Sequence, residues 1–179
     1  MANLPVPTLA SEVTNNLIPA ALWRASVYNP ATFILNPPLF VGTQTSVQSI
    51  ASNSWTAINL NTEQVDTYSG HDTVTNNSRY TAQVAGWYSV CGVVAWTPNG
   101  TSFRGSRLHV NGSVLQGSAQ MTAFSNSANS TVVATAARSV QLNVGDYVEV
   151  AGFQLTGSNL STAVSGEVAS ALWVCWSHS

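Results

Sequence analysis

The segment His71–Trp96 reads HDTVTNNSRYTAQVAGWYSVCGVVAW and predicts a strand, a tight turn and then a long strand. Two segments with the same alternation of apolar and polar residues follow it. LHVNGSVL at 108–115 contains an Asn-Gly pair that predicts a hairpin, and VGDYVEV at 144–150 contains a Gly-Asp turn before another strand. This order of strands and tight turns is typical of an antiparallel β sandwich.

The same alternation extends from about Leu39 to the end of the chain. Turn residues recur about every ten residues, and no helical periodicity follows residue 40, so the pattern indicates a sandwich or a barrel. The predicted strands lie at 39–50, 54–61, 79–84, 87–96, 106–112, 113–121, 131–143, 146–155 and 171–179.

Two of these strands are apolar on both faces. In the strand at 87–96, one face carries Tyr88, Val90, Val94 and Trp96, and the other carries Trp87, Ser89, Cys91, Val93 and Ala95. The last strand has the same property from Ala171 to Trp176. A strand with two apolar faces is either central in a sandwich or in contact with another subunit, and two such strands in one small sandwich are what a trimer interface would require.

The composition fits an assembling protein. The chain has 179 residues, of which 45% are hydrophobic and only 7% charged, with a net charge of −2 and no lysine. Its five arginines are scattered, so the basic stripe of a nucleic-acid-binding protein is absent from the sequence. The first residues lack a basic, apolar secretory signal, and no apolar run is long enough to span a membrane. We therefore expect neither nucleic acid nor membrane as a partner.

The first forty residues form a separate region, because six of the seven prolines lie at or before Pro38. We expect an arm at 1–40 and a folded domain at 41–179. Ser11 could cap a short helix, Pro19 could begin another helix that runs to Tyr28, and Pro30 should restart the chain before the Pro37-Pro38 stop. The arm is too apolar to be free in solvent, and we expect it to dock on a partner and to contact sister subunits, with packing on its own domain as the alternative. The residues that would bury are Leu22, Trp23, Tyr28, Phe33 and Leu35.

Four segments carry a resemblance to a known family. AGWYSVCGVVAW at 85–96, RLHVNGSVL at 107–115, SVQLNVGDYVEV at 139–150 and ALWVCWSH at 171–178 resemble the jelly roll of tumour necrosis factor and of the complement component one q globular head. More narrowly, FILNPPLF at 33–40 with the segment 48–88 is similar to short tail or head proteins encoded by phages of actinobacteria. The arm departs from that group, since IPAALWRASVYNP replaces its usual charged helix.

The resemblance implies an all-β, antiparallel jelly-roll sandwich with a short, partly helical, Pro-rich arm. It implies a homotrimer, in which the candidates for core or interface are Tyr88, Trp96, Phe153, Trp173 and Trp176. It also makes the strand at 87–96 and the last strand neighbours, which would bring Cys91 near Cys175. We expect both thiols to be reduced, because the protein would be assembled in a reducing host cytoplasm before release in the virion.

The expected function is structural. The arm would dock on a major capsid or tail protein, and the trimer would face solvent as a capsid decoration or head fibre. We expect no catalysis, cofactor or metal. His71-Asp72 and His109 could act as bases, but they stand in no nucleophile motif, and the carboxylates form no calcium loop.

The alternative function is host attachment at a tail tip, as a minor tail protein that binds cell-wall glycan. Aromatic side chains among polar loops can stack on sugar rings. The candidates for such stacking are Trp55, Tyr68, Trp87 and Phe103. A secreted, signalling-type trimer is a third hypothesis, and the missing signal sequence disfavours it.

Overall fold

The computed structural model describes residues 19–122 and 127–179. A helical segment leads into a β sandwich. The helical segment consists of α1 (Ala20–Trp23), a π-helical turn (Arg24–Tyr28) and α2 (Asn29–Leu35). The strands of the described residues are β1 (Leu39–Thr43), β2 (Ser49–Ile50), β3 (Thr56–Ala57), β4 (Thr62–Asp66), β5 (Arg79–Thr81), β6 (Gly86–Trp96), β7 (Arg104–Val110), β8 (Ser113–Val114), β9 (Gln120–Thr122), β10 (Thr131–Ala134), β11 (Arg138–Leu142), β12 (Tyr147–Gln154), β13 (Leu160–Ser161) and β14 (Ala171–His178).

The strands form two main antiparallel sheets. The first has the order β10–β6–β14–β1–β4, and β11 also pairs with β6. The second has the order β3–β12–β7–β8, with β5 paired to β12 and β9 paired to β7. A short ribbon of β2 and β13 lies beside them. This is the antiparallel β sandwich that the sequence predicts and the jelly roll that the resemblance implies, and the short helix before it is also confirmed.

The core fills the space between the sheets with one face of each strand. Tyr88, Trp96 and Leu172 of the first sheet and Leu108 and Val150 of the second are fully buried. The burial of β6 alternates along most of its length, as expected for a strand with one face in the core. The predicted division of this strand into two faces is therefore correct.

Turn residues give two of the connections their geometry. Asn111 and Gly112 both have positive φ, at 51° and 74°, and join β7 to β8 in the predicted hairpin. Gly86 has a φ of 149° at the start of β6, and a side chain there would run into Trp176 Nε1 and the His178 carbonyl. The chain therefore needs glycine where β6 begins beside β14.

The helical segment passes through Pro30 without a break, contrary to our prediction that Pro30 restarts the chain. Proline lacks the amide hydrogen of a helical bond and crowds the preceding turn. The chain widens into a π-helical turn just before it, where the Asn29 N–H bonds to the Arg24 carbonyl. The helix then ends at Leu35, just before Pro37-Pro38, as predicted. The expected Ser11 cap lies outside the described residues.

Several strand predictions were wrong in detail: the predicted strands at 39–50 and 113–121 are each interrupted, and only Thr56–Ala57 of the segment at 54–61 is a strand. The segment at 62–66 was not predicted, because Thr62, Glu63 and Gln64 are exposed on an edge strand and carry little apolar signal. The predicted strand at 131–143 is two strands, β10 and β11, separated at Thr135, whose hydroxyl accepts the Gly92 N–H at 2.9 Å. The division into an arm at 1–40 and a domain at 41–179 stays a prediction, although Phe40 lies within β1 and in the core.

Candidate functional surfaces

The outward side of the first sheet is an apolar surface. Strand register places Val65, Val41, Trp173 and Cys91 in one row across β4, β1, β14 and β6. Trp87 on β6 and Val132 on the adjacent strand β10 are also exposed. We call this surface the β6–β14 face. It is formed by Val41, Trp87, Cys91, Val93, Val132, Trp173 and Cys175. Surfaces of this kind mark interaction sites in soluble proteins.

The five candidates for core or interface lie in different parts of the structure. Tyr88 and Trp96 are fully buried inside the sandwich, so they belong to the core of one chain. Trp176 is half-buried and packs edge-on against Phe33, with ring centroids 4.8 Å apart. Phe153 belongs to the second sheet, where its ring lies 5.1 Å from that of Trp55. Only Trp173 of the five lies on the β6–β14 face.

The two cysteines lie on adjacent strands, as the resemblance implies. Cys91 is directly opposite Trp173, and Cys175 is directly opposite Ser89, so the thiols are diagonal neighbours. Diagonal residues in an antiparallel pair are about 7–8 Å apart, which is longer than a relaxed disulfide spans. Both are free thiols, and burial raises the pKa of the Cys91 thiol.

The helical segment has one side chain anchored on the domain. Phe33 is 2% exposed and packs against Tyr68, Val84 and Trp176. The predicted alternative, packing of the arm on its own domain, therefore holds for Phe33, while Leu22 is half-buried. Five other apolar side chains of the segment are exposed, and we call them the arm strip: Trp23, Val27, Tyr28, Ile34 and Leu35.

The four aromatic residues proposed for sugar stacking do not form one site. Tyr68 is 3% exposed beneath Phe33, so it cannot present its ring, and that prediction is wrong. Trp87 lies on the β6–β14 face, with its ring stacked on His178. Trp55 is covered by the Arg107 guanidinium, 4.0 Å from its ring, and by Phe153. Phe103 is exposed in the loop before β7.

The outward side of the second sheet carries polar side chains that sequence reasoning did not group. The Arg107 Nε donates to His109 Nε2 at 2.8 Å, and His109 pairs across the strands with Glu149. Burial, and then the positive charge of Arg107, lower the pKa of His109, while Glu149 acts against that shift. Arg104 is buried instead, and its guanidinium donates to the carbonyls of loop residues 99, 101 and 103.

His71, one of the two histidines considered as possible bases, is held by hydrogen bonds within its own loop. The His71 side chain is buried, with Nδ1 2.8 Å from Glu63 Oε1 and Nε2 3.1 Å from the Asn77 carbonyl. Its neighbour Asp72 accepts two backbone N–H groups, from Val74 and Thr75. Both side chains therefore hold the loop between β4 and β5 in shape.

Neither a metal site nor a membrane span stands out in the part of the chain that the structure describes. At residues 19–122 and 127–179, no three His, Cys, Asp or Glu side chains are grouped so that they could ligate a metal ion. No helix described there is both long enough and apolar enough to cross a bilayer.

Comparison with known proteins identifies the fold. No protein-family model and no curated protein sequence matches the chain. Among solved structures, the globular domain of zebrafish complement 1qA protein has a TM-score of 0.58 and 14% identity, covering 79% of this chain and 99% of that one.

Two further structures agree with that result. Murine APRIL at pH 5.0 has a TM-score of 0.57 and 13% identity over 77% of this chain and 98% of its own. Eiger TNF from S. frugiperda has a TM-score of 0.51 and 14% identity over 79% of this chain and 92% of its own. The chain thus has the jelly-roll fold found in complement 1q globular domains and in proteins of the tumour necrosis factor type.

Proposed function

We propose that the chain is a non-enzymatic structural protein of a tailed phage virion, a homotrimer that docks through its arm as a capsid decoration or head fibre. The observation that carries this proposal is the presence of two exposed apolar surfaces in different places. One is the β6–β14 face, and the other is the arm strip. One surface can serve self-association while the other binds a different virion protein.

The β6–β14 face supports self-association. Trp173 and Val132 are exposed there, and β6 and β14 contribute no carboxylate, lysine or arginine side chain. Association through such a face removes apolar surface from water without burying an unpaired charge. Obligate homo-oligomer interfaces have this apolar character.

The arm strip supports docking. Phe33 fixes α2 on the domain, so the strip is presented in a defined position. Trp23 is 53% exposed, Tyr28 is 59% exposed and Leu35 is 84% exposed. Aromatic side chains held in this way are typical anchors of a protein interface. The similarity of FILNPPLF to the arm of phage head and tail proteins supports a virion protein as the partner.

Labelling of virions tests the proposal. Antibody raised against the purified chain should label particles of the phage that encodes it, and the label should lie on the capsid shell in electron micrographs. Label at the tail tip would favour the host-attachment alternative. Particles without label would contradict a virion role altogether.

The Trp23→Glu variant tests the docking surface. When supplied in place of the wild-type chain, it should trimerise but be missing from purified particles, because a charge would enter the arm contact. Val114→Glu is a matched control, since Val114 is also exposed but lies on β8 at the edge of the second sheet. Incorporation of the Trp23 variant at the wild-type level would contradict docking through the arm strip.

A further inference from the structure

A cleft of about 350 Å³ lies in the connection between β4 and β5. Its lining includes Ser69, Thr75, Asn76, Arg79, Thr81 and Gln83. This volume falls at the lower end of the range of small-ligand pockets, about 300–1,000 Å³. The lining is polar, and none of these residues belongs to the β6–β14 face or to the arm strip.

The cleft has a fixed shape. The Asp66 carboxylate accepts the N–H groups of Tyr68 and His71, and the Asp72 carboxylate accepts those of Val74 and Thr75. A side chain at Gly70 would run into Tyr80, so the loop lies directly on the core. A site organised before binding loses little conformational entropy when a ligand enters.

Hydrogen-bonding groups in the cleft lack protein partners. Within the described residues, the side chains of Ser69, Thr75, Asn76 and Thr81 make no hydrogen bond to the protein, and three of them are hydroxyls. The Arg79 Nε is buried without a hydrogen-bond partner, since the nearest Glu149 oxygen is 3.8 Å away. The Arg79 side chain as a whole is 32% exposed, so the other N–H groups of its guanidinium are open to a ligand in the cleft.

The charges around the cleft favour an uncharged ligand. The Arg79 guanidinium lies 4.1 Å above the Tyr147 ring and beside the Glu149 carboxylate, which is 6% exposed. Asp72 contributes a carboxylate to the lining. An anion would be repelled by the Asp72 carboxylate, whereas a hydroxyl group can donate to that carboxylate and accept from the Arg79 guanidinium.

We propose that this cleft binds one residue of a neutral saccharide, whose hydroxyl groups pair with Ser69, Thr75, Asn76, Thr81 and the Arg79 guanidinium. The inference goes beyond the proposed structural role, and it does not require the arm to dock or the chain to trimerise. It also differs from stacking on Trp55, Tyr68, Trp87 or Phe103, because the contacts are hydrogen bonds in a concave site.

Saturation-transfer NMR on the full chain tests the cleft. The probes are the methyl glycosides of glucose, galactose, rhamnose and N-acetylglucosamine, with methyl glucuronide and inorganic phosphate as anionic probes. At least one neutral glycoside should receive saturation, and the anionic probes should receive less. Absence of transfer to every neutral glycoside, or stronger binding of the anionic probes, would overturn the proposal.

Variants locate the binding. Thr81→Val keeps the β-branched shape of the side chain, and Asn76→Gly suits the positive φ of 53° at that residue. Together they should reduce the transfer at least fivefold. The control is Asn53→Gly, because Asn53 is also an exposed asparagine with a positive φ, of 60°, and its N–H bonds to Gln154 far along the chain. Equal loss in the control, or full transfer in the double variant, would contradict binding in the cleft.

Discussion

At the scale of single residues, Tyr88 joins the first sheet to the turn that precedes it. Its hydroxyl donates to the Val84 carbonyl at 2.6 Å, and burial raises its pKa to about 12. Tyr88→Phe removes this donor and leaves a buried carbonyl unpaired, so the free energy of unfolding should fall by about 1–2 kcal/mol in urea denaturation. Tyr28→Phe, at an exposed tyrosine, is the control and should change little. An unchanged Tyr88 variant would show that the bond contributes no net stability.

Because of His109, we expect the stability of the folded chain to depend on pH. Its folded-state pKa lies below the ordinary value of 6.5 because of burial and Arg107, so the unfolded chain takes up a proton first as the pH falls. Stability from this residue is therefore present above about pH 6.5 and declines as the pH falls towards the folded-state pKa. Melting temperatures from about pH 7 to about pH 5 should fall less steeply in His109→Gln, whose amide oxygen can still accept from Arg107. Equal slopes would assign the pH dependence to other groups.

At the scale of elements, Phe33 connects the helical segment to the sandwich. Phe33→Ala removes a ring buried against Tyr68 and Trp176, which contributes about 2 kcal/mol by area burial. Trypsin has a single site in this segment, at Arg24, because the chain has no lysine. Cleavage after Arg24 should become on the order of tenfold faster. Leu35→Ala, in the same helix but 84% exposed, should be cut like the wild type, and equal acceleration in both variants would contradict anchoring by Phe33.

The elements also show how far the sequence predicts the structure. Strands β6, β12 and β14 were predicted because they are long apolar segments rich in valine and aromatic residues, which favour strands. β4 was missed because an exposed edge strand can be polar. The helix across Pro30 was missed because the π-helical turn, which accommodates proline, leaves no mark in the hydrophobic pattern.

The surfaces were harder to predict than the fold. The alternation of side chains along a strand correctly places Tyr88 and Trp87 on opposite faces of β6. Because both faces are apolar, however, the sequence alone does not decide which face packs against the second sheet. Tyr68 resembles a loop aromatic in the sequence, yet the helical segment covers it through Phe33. The cleft between β4 and β5 depends on chain reversals at Ser69 and Asn76 that only the three-dimensional structure reveals.

At the scale of the whole molecule, the account depends on the β6–β14 face. Trp173 lies at its centre, between Val41 and Cys91 in the strand register. Trp173→Glu would place a charge in an apolar contact and should prevent association, since a buried unpaired charge is strongly unfavourable. The Trp23→Glu variant should associate like the wild type, because Trp23 belongs to the arm strip.

Light scattering coupled to size-exclusion chromatography tests this central claim most directly. The wild-type chain and the Trp23→Glu variant should both have three times the chain mass of 18.8 kDa. The Trp173→Glu variant should have the mass of one chain and an unchanged circular dichroism spectrum. A wild-type chain that is monomeric, or a Trp173→Glu variant that remains trimeric, would contradict self-association through the β6–β14 face.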